Sequence, residues 1–378
     1  MKIVIYGLSV TSAWGNGHAT TYRSLMKALA RLGHQLYFIE KDVEWYRGNR
    51  DLPAPGFCTV QLYENWTVEE RSLIRQAVDA DAVVIGSYFP DAIQATRALL
   101  EAGCGPILFY DIDTPVTLAQ LRNRGRCEYL EAALIPEYAA YLSFTGGPAL
   151  RELEVVFGAS WAVPFYCSVD PDLYRPTPVR HEFRCDLSYL GTYAKDRQAS
   201  LMCLLNGSAE MLPESSFLVA GPMYPTDATW APNVRRKTHV APPDHPAFYS
   251  SSRFTLNLTR DDMKLAGYSP SVRLFEASAC GTAILSDSWP GLEQFLTPGE
   301  EILLPSDAAD TADILRYLSA EERDRLGRRA RERILAEHTA EHRAREFEHI
   351  VERCGSVSVP RSAEALRTMP HTTPVPPA

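Results

Sequence analysis

Arg273 and Glu276 stand three residues apart where the pattern predicts a helix start, followed by small residues and the strand Ala283 to Leu285. A cation and a carboxylate at a helix N-terminus suit a ligand with phosphates and a sugar. The free N–H groups and dipole of the helix attract the anion, and the carboxylate accepts from vicinal hydroxyls. A guanidinium can fork onto phosphate oxygens, which assigns Arg273 to a diphosphate. Gly191-Thr192-Tyr-Ala-Lys195-Asp-Arg197 follows a predicted strand and precedes a predicted helix. Gly191 permits close backbone approach, and Lys195 or Arg197 can neutralise phosphate. Arg260, after the strand Thr255 to Leu258, is a further basic candidate, whereas His245 in a proline-rich loop reads as a loop histidine.

Near the N-terminus, Gly15-Asn16-Gly17-His18 opens the first predicted helix. Its glycines let a ligand approach the backbone, and His18 is a candidate general base because imidazole titrates near neutrality. Asp111-Ile-Asp113 ends another predicted strand. Asp113 is expected to line a cleft, Asp111 to sit on its acceptor side, and a helix-capping turn is the plainer alternative. A metal-binding Asp-x-Asp is disfavoured by the strand and helix pattern. Gly15 and Gly17, with Glu40 ending the next strand, also sketch a dinucleotide fingerprint. Thr20 in place of the third glycine, and a long loop from Ser9 to Gly17, count against it.

The elements that position these residues alternate. Ile3 to Leu8, Gln35 to Glu40, Ala82 to Gly86, Pro106 to Tyr110 and Tyr141 to Thr145 read as strands. Ala19 to Leu32 has helical spacing. Continuous apolar strands fit a parallel sheet buried on both faces. After the proline-rich stretch Val163 to Pro176 the pattern restarts: strands at Asp186 to Leu190, Ser216 to Ala220 and Thr255 to Leu258, and helices at Gln198 to Leu205 and Arg273 to Ala279. The expected fold is α/β, with two Rossmann-like βαβ domains facing a cleft. The expected divisions are a first domain at 1–165, a hinge at 166–182 and a second domain at 183–336. A terminal helix at 337–354, packing back on the first domain, and a disordered tail at 355–378 follow. The charged run Glu321 to Arg353 reads as solvated helix.

Three segments together resemble two-domain, GT-B-type nucleotide-sugar glycosyltransferases of group 1: the loop Gly15 to Leu25 with Leu32-Gly-His34, the hinge Val163 to Pro176, and Glu276-Ala-Ser-Ala-Cys-Gly281. Leu190 to Arg197 and Arg273-Leu-Phe-Glu276 are similar, more narrowly, to a spore-maturation-protein-like branch. The resemblance implies a GT-B fold and transfer of a sugar from a nucleotide-diphosphate sugar to a small molecule, glycan or protein, with 1–165 as the acceptor-binding domain and 183–336 as the donor-binding domain. Glu276 would then accept from the donor's ribose. No cofactor or metal is implied, the nucleotide sugar being a co-substrate. Retention of anomeric configuration is expected, with inversion left open. The relatives with a Glu-x7-Glu motif hold the donor with two carboxylates; the first position is Tyr268 here. The resemblance leaves Tyr268, Ser269 or a backbone N–H to replace that contact. The competing readings are a nucleotide-sugar epimerase and a non-catalytic sugar-nucleotide-binding protein.

Composition narrows the partners. A formal charge of −9 argues against nucleic acid as a partner. The eight cysteines include no CxxC pair, so a zinc ribbon or thioredoxin motif is not expected. The chain shows neither a signal-peptide pattern nor an apolar run of membrane-spanning length, and the expectation is a cytoplasmic protein.

Overall fold

The computed structural model describes residues 1–357. The first seven strands are β1 (Lys2–Tyr6), β2 (Gln35–Lys41), β3 (Thr59–Tyr63), β4 (Ala82–Gly86), β5 (Ile107–Asp111), β6 (Ala140–Ser143) and β7 (Ala162–Pro164). They form one parallel sheet in the order β3-β2-β1-β4-β5-β6-β7. The remaining five are β8 (Cys185–Leu190), β9 (Phe217–Ala220), β10 (Val234–Lys237), β11 (Ser252–Asn257) and β12 (Ala283–Ser286). These pair in parallel in the order β10-β9-β8-β11-β12. In both sheets the order reverses beside the first strand, opening a crevice at the carboxyl ends of the strands. The fold is α/β with two Rossmann-like sheets.

The central strands β4, β5, β6 and β9 and the edge strand β12 are legible as apolar runs because every residue in them is buried. The other edge strands, β3, β7 and β10, were not legible. β3 and β10 each bury only part of their length, and β10 reads Val-Arg-Arg-Lys. An edge strand has one neighbour and tolerates charge. β7 ends in Pro164, which an edge accommodates because its missing N–H leaves no unmatched partner. It claims the first residues of the stretch expected to be a connection.

The long charged helix is two helices, Ala320–Glu337 and Ala340–Val357. The connection between the sheets reaches into the break. Val169 N donates to His338 O at 3.1 Å, and Ala340 N donates to Val169 O at 2.8 Å. The last helix packs along the first, Gly17–Arg31, with His34 Nε2 at 2.8 Å from Glu348. It continues through residues 355–357, where the tail was expected to begin; the rest of that expected tail, 358–378, lies outside the described residues. The helix expected over Gln198 to Leu205 starts earlier, as Lys195–Leu201, and widens into a π-helical turn at Met202–Gly207. Among the described residues, no helix is long and apolar enough to cross a membrane.

Candidate active site

The crevice holds a cavity of about 310 Å³. Gly15, Asn16, Gly17 and Thr20 line one side; Gly191, Thr192, Arg197, His245, Arg273 and Glu276 line the other. On the second wall, Ser271 precedes the helix Val272–Ala279 and, making no side-chain capping bond, donates from Oγ to Asn257 Oδ1 at 2.6 Å. Arg273 follows within the first turn. Its Nε and Nη2 donate to Leu190 O at 2.9 and 2.5 Å, and Nη1 donates to Asn257 Oδ1 at 2.9 Å. The guanidinium lies over the Tyr189 ring, 4.9 Å from its centroid. These neutral acceptors fix the guanidinium without cancelling its charge, and no carboxylate pairs with Arg273 among the described residues.

Glu276 is one turn further and 7% exposed. Tyr249 Oη donates to its Oε2 at 3.2 Å. Burial first, and the Glu276 carboxylate second, push the Tyr174 and Tyr249 phenols well above their ordinary range, so both remain donors. His245 is held by Val240 O at 3.2 Å from Nε2 and by Tyr174 Oη at 3.3 Å from Nδ1. Burial is the main reason that its imidazole sits below the usual range. A side chain at position 191 would meet Tyr189 Oη at 2.8 Å and Arg273 Nη2 at 3.0 Å, which explains the glycine there.

The opposite wall rests on a buried acid. Glu40, with no exposed surface, accepts from Ser9 Oγ, Val10 N, Thr11 N and Thr11 Oγ1 at 3.0, 2.7, 3.0 and 2.5 Å. The loop after β1 is tied down, and Glu40 is consumed in doing so rather than free to meet a ribose. Gly15 adopts φ 61°, a left-handed conformation that glycine takes without strain. Asn16 then caps the first helix by accepting from His18 N at 3.0 Å.

His18 Nε2 lies 3.0 Å from Asp113 Oδ2. Burial alone would raise the Asp113 carboxyl, but the hydrogen bond from His18, its charge and that of Arg260 outweigh burial and hold it below the usual range. An ionised Asp113 makes Nε2 the donor. Nδ1 is buried and makes no hydrogen bond, and neither His18 nor Asp113 is among the residues that line the cavity. Tyr88 packs edge-on against the imidazole, centroids 5.5 Å apart, from a backbone at φ 61°. A bulky residue in that region is strained, and such strain concentrates at functional sites.

Residues 197–349 match the family described as glycosyl transferase-like. The match lies in the second half of the chain, and the chain as a whole has the GT-B fold. No curated protein sequence matches it. Among solved structures it is similar to sucrose-phosphate synthase from Thermosynechococcus elongatus, at 15% identity and TM-score 0.68, covering 95% of this chain and 100% of that one. It is also similar to HepE of Anabaena in complex with UDP and glucose, at 11% identity and TM-score 0.71, covering 93% and 100%. A third similar structure is an alpha-glucosyltransferase in complex with UDP-glucose and DNA containing an abasic site, at 14% identity and TM-score 0.68, covering 93% and 98%.

Several expected residues fall elsewhere. The Tyr268 ring is clamped between Gly147 and Gly291, whose built Cβ atoms would lie 2.3 and 2.4 Å from it. Its backbone accepts from Gly146 N at 2.9 Å and donates to Pro290 O at 2.7 Å. Ser269 Oγ accepts from Thr145 Oγ1 at 2.9 Å. Both residues join the two domains instead of lining the cavity, because they precede the helix on the side that faces the first domain. Asp111 is fully buried below the cleft, accepting from Tyr141 Oη at 2.5 Å and Thr117 Oγ1 at 2.9 Å, and burial raises its carboxyl to about 6. It braces the turn that carries Asp113 and does not face an acceptor.

Lys195 is exposed and off the cavity lining, whereas Arg197 lies on it and donates to Thr192 O at 2.9 Å. Arg260 is also off the lining, its Nε 3.5 Å from Asp196, on the side whose charge reaches Asp113 and Tyr88. Sequence reading gave His245 no role and missed His239, Tyr249, Asn257 and Ser271. A polar Asn257 between Leu256 and Leu258, and a serine just before a helix, were the available signals for the last two. Among the described residues, no group of three or more His, Cys, Asp or Glu is placed to hold a metal ion.

Proposed function

We propose that this chain transfers a sugar from a nucleotide-diphosphate sugar to an acceptor hydroxyl. The nucleotide occupies the cavity, with its ribose hydroxyls on Glu276 and its diphosphate against Arg273, Arg197 and the backbone of Gly15 to Gly17. The UDP and UDP-glucose complexes of HepE and the alpha-glucosyltransferase support uridine diphosphate as the first donor to test. The acceptor oxygen attacks the anomeric carbon and passes its proton to His18 Nδ1. The bond from that carbon to the diphosphate oxygen breaks, and the electron pair leaves with the nucleoside diphosphate. Arg273 and Arg197 stabilise the charge that develops there, a task that a divalent metal performs in other sites. A metal-independent reaction is therefore part of the proposal.

The observation that carries the reading is the His18–Asp113 pair, with one nitrogen fixed by an ionised carboxylate and the other left free. A mere binding protein has no need of a buried, unpaired base, which argues against the non-catalytic alternative. The epimerase alternative draws on no observation. A base that takes the proton of an acceptor attacking opposite the departing diphosphate gives in-line displacement and inversion. The retention expected from the Glu-x7-Glu relatives belongs to sites with a second acid, and Tyr268 faces away from the cavity. The DNA in the alpha-glucosyltransferase complex does not transfer readily to a chain with a formal charge of −9.

A thermal-shift screen against UDP and UDP-sugars, followed by NMR of the product's anomeric centre, tests the reading. UDP raises the melting temperature by mass action and the product carries the inverted configuration. A retained configuration would remove His18 from the role of base, and no shift with any nucleoside diphosphate would remove the donor site.

A further inference from the structure

Two of the six tryptophans are more than half exposed, Trp14 at 53% and Trp45 at 57%. Both sit beyond the carboxyl ends of first-domain strands, Trp14 after β1 and Trp45 after β2. Trp14 stands between Ala13 and Gly15, both of which line the cavity. The two loops are knitted together. Ser12 Oγ donates to Asn49 O at 2.8 Å, Asn49 Nδ2 to Trp45 O at 2.8 Å, Ala13 N to Asp51 Oδ1 at 2.9 Å and Leu52 N to Thr11 O at 3.0 Å. Below them lies the clamp of Glu40 on residues 9–11. The indoles are presented by a braced surface, so little ordering entropy is lost when something covers them.

Large apolar rings left in water beside a catalytic cleft point to a partner. Charge decides which partner. Arg23 forks onto Asp51 at 2.7 and 2.8 Å, Arg50 pairs with Asp42 at 2.5 Å, and Arg47 pairs with Asp42 at 3.1 Å and Glu64 at 2.8 Å. These charges pair with one another, largely at exposed positions, and beside the indoles the exposed Glu44 alone is left without a partner among the described residues, so the loops present apolar faces and one carboxylate that can accept from hydroxyls. A sugar ring has one apolar C–H face and a rim of hydroxyls, and an indole offers a flat apolar face with one N–H donor. We propose that Trp14 and Trp45 form an acceptor platform for a neutral oligosaccharide, which they hold with its terminal hydroxyl toward His18. The direction of the chain toward His18 rests on the transfer reading above; the platform itself rests on the tryptophans.

An array of neutral oligosaccharides probed with the full chain tests this, with Trp14→Ala and Trp45→Ala as variants and the UDP-induced melting shift as control. At least one neutral oligosaccharide is bound, and each substitution weakens that binding about tenfold while leaving the UDP shift unchanged. A normal UDP shift with no neutral oligosaccharide bound overturns the platform, and so does binding that neither substitution weakens. Loss of binding to phosphatidylcholine vesicles in both variants, without any glycan binding, gives the surface to a membrane and also overturns it. Absence of the UDP shift alongside tryptophan-dependent glycan binding sinks the donor-site reading and leaves the platform standing.

Discussion

The two walls of the cleft hold their key groups by opposite means. On the second wall Arg273 and Glu276 are fixed by neutral partners, the Leu190 carbonyl, Asn257 and the Tyr249 phenol, so both charges remain available to a ligand. On the first wall buried acids do the holding. Glu40 clamps the loop before His18, Asp111 braces the turn before Asp113, and Asp113 itself fixes the imidazole. One wall keeps its charges for binding, whereas the other uses its carboxylates to orient a single imidazole. A ligand with two negative phosphates needs the first arrangement, and a hydroxyl that must lose a proton needs the second.

Removing the base should break this comparison most visibly. His18→Ala is expected to lower kcat by roughly 10²–10⁴-fold with little change in UDP affinity, read by steady-state kinetics and calorimetry. Loss of UDP affinity instead would move His18 onto the binding side. The complementary change, Arg273→Ala, should weaken UDP binding about 10–100-fold, because a charge-assisted contact and the brace on the Leu190 carbonyl go together. Glu276→Gln should cost less, about tenfold, as a neutral amide still accepts from a ribose hydroxyl.

The join between the walls offers a stability test. Gly147→Ala puts a methyl into the Tyr268 ring at a backbone φ of 59°, and should destabilise by about 1–3 kcal/mol in denaturant unfolding. His338, in the break between the last two helices, packs against Phe275 and Phe295 with neither ring nitrogen hydrogen-bonded. Burial first, then the charges of Arg343 and Arg333, lowers its imidazole from 6.5 to about 4. The neutral form is favoured by folding, so its contribution is complete above about pH 6.5 and falls as pH drops toward 4, by up to about 3 kcal/mol. His338→Leu should flatten that part of the stability–pH curve, and an unchanged slope would assign it to other groups. The smallest effect is expected from Lys195→Ala, within about twofold in UDP affinity, since a solvated surface cation contributes little.

The segment from Tyr268 to Glu276 shows what was legible. Arg273 and Glu276 were found because a cation and an acid near a helix N-terminus have a local meaning, and the structure puts both on the cavity. Tyr268 and Ser269 were assigned to the same ligand because they are near in sequence. They turn the other way because the chain passes from one domain's surface to the other's within a few residues, and that depends on Gly147 and Gly291. Asp111 was misread for a related reason: where a strand ends decides whether its last side chain enters the core or the cleft.

The sequence by itself determined the alternation of strands and helices, the two-sheet architecture and the glycine turns, because burial on both faces and left-handed backbone leave a record in residue type alone. Tertiary structure decided the pairing of His18 with Asp113, the capture of Glu40, the recruitment of His245 to the cavity and the diversion of Tyr268. Each of these depends on contacts between residues far apart in the chain, and local pattern carries no information about which distant group will stand opposite.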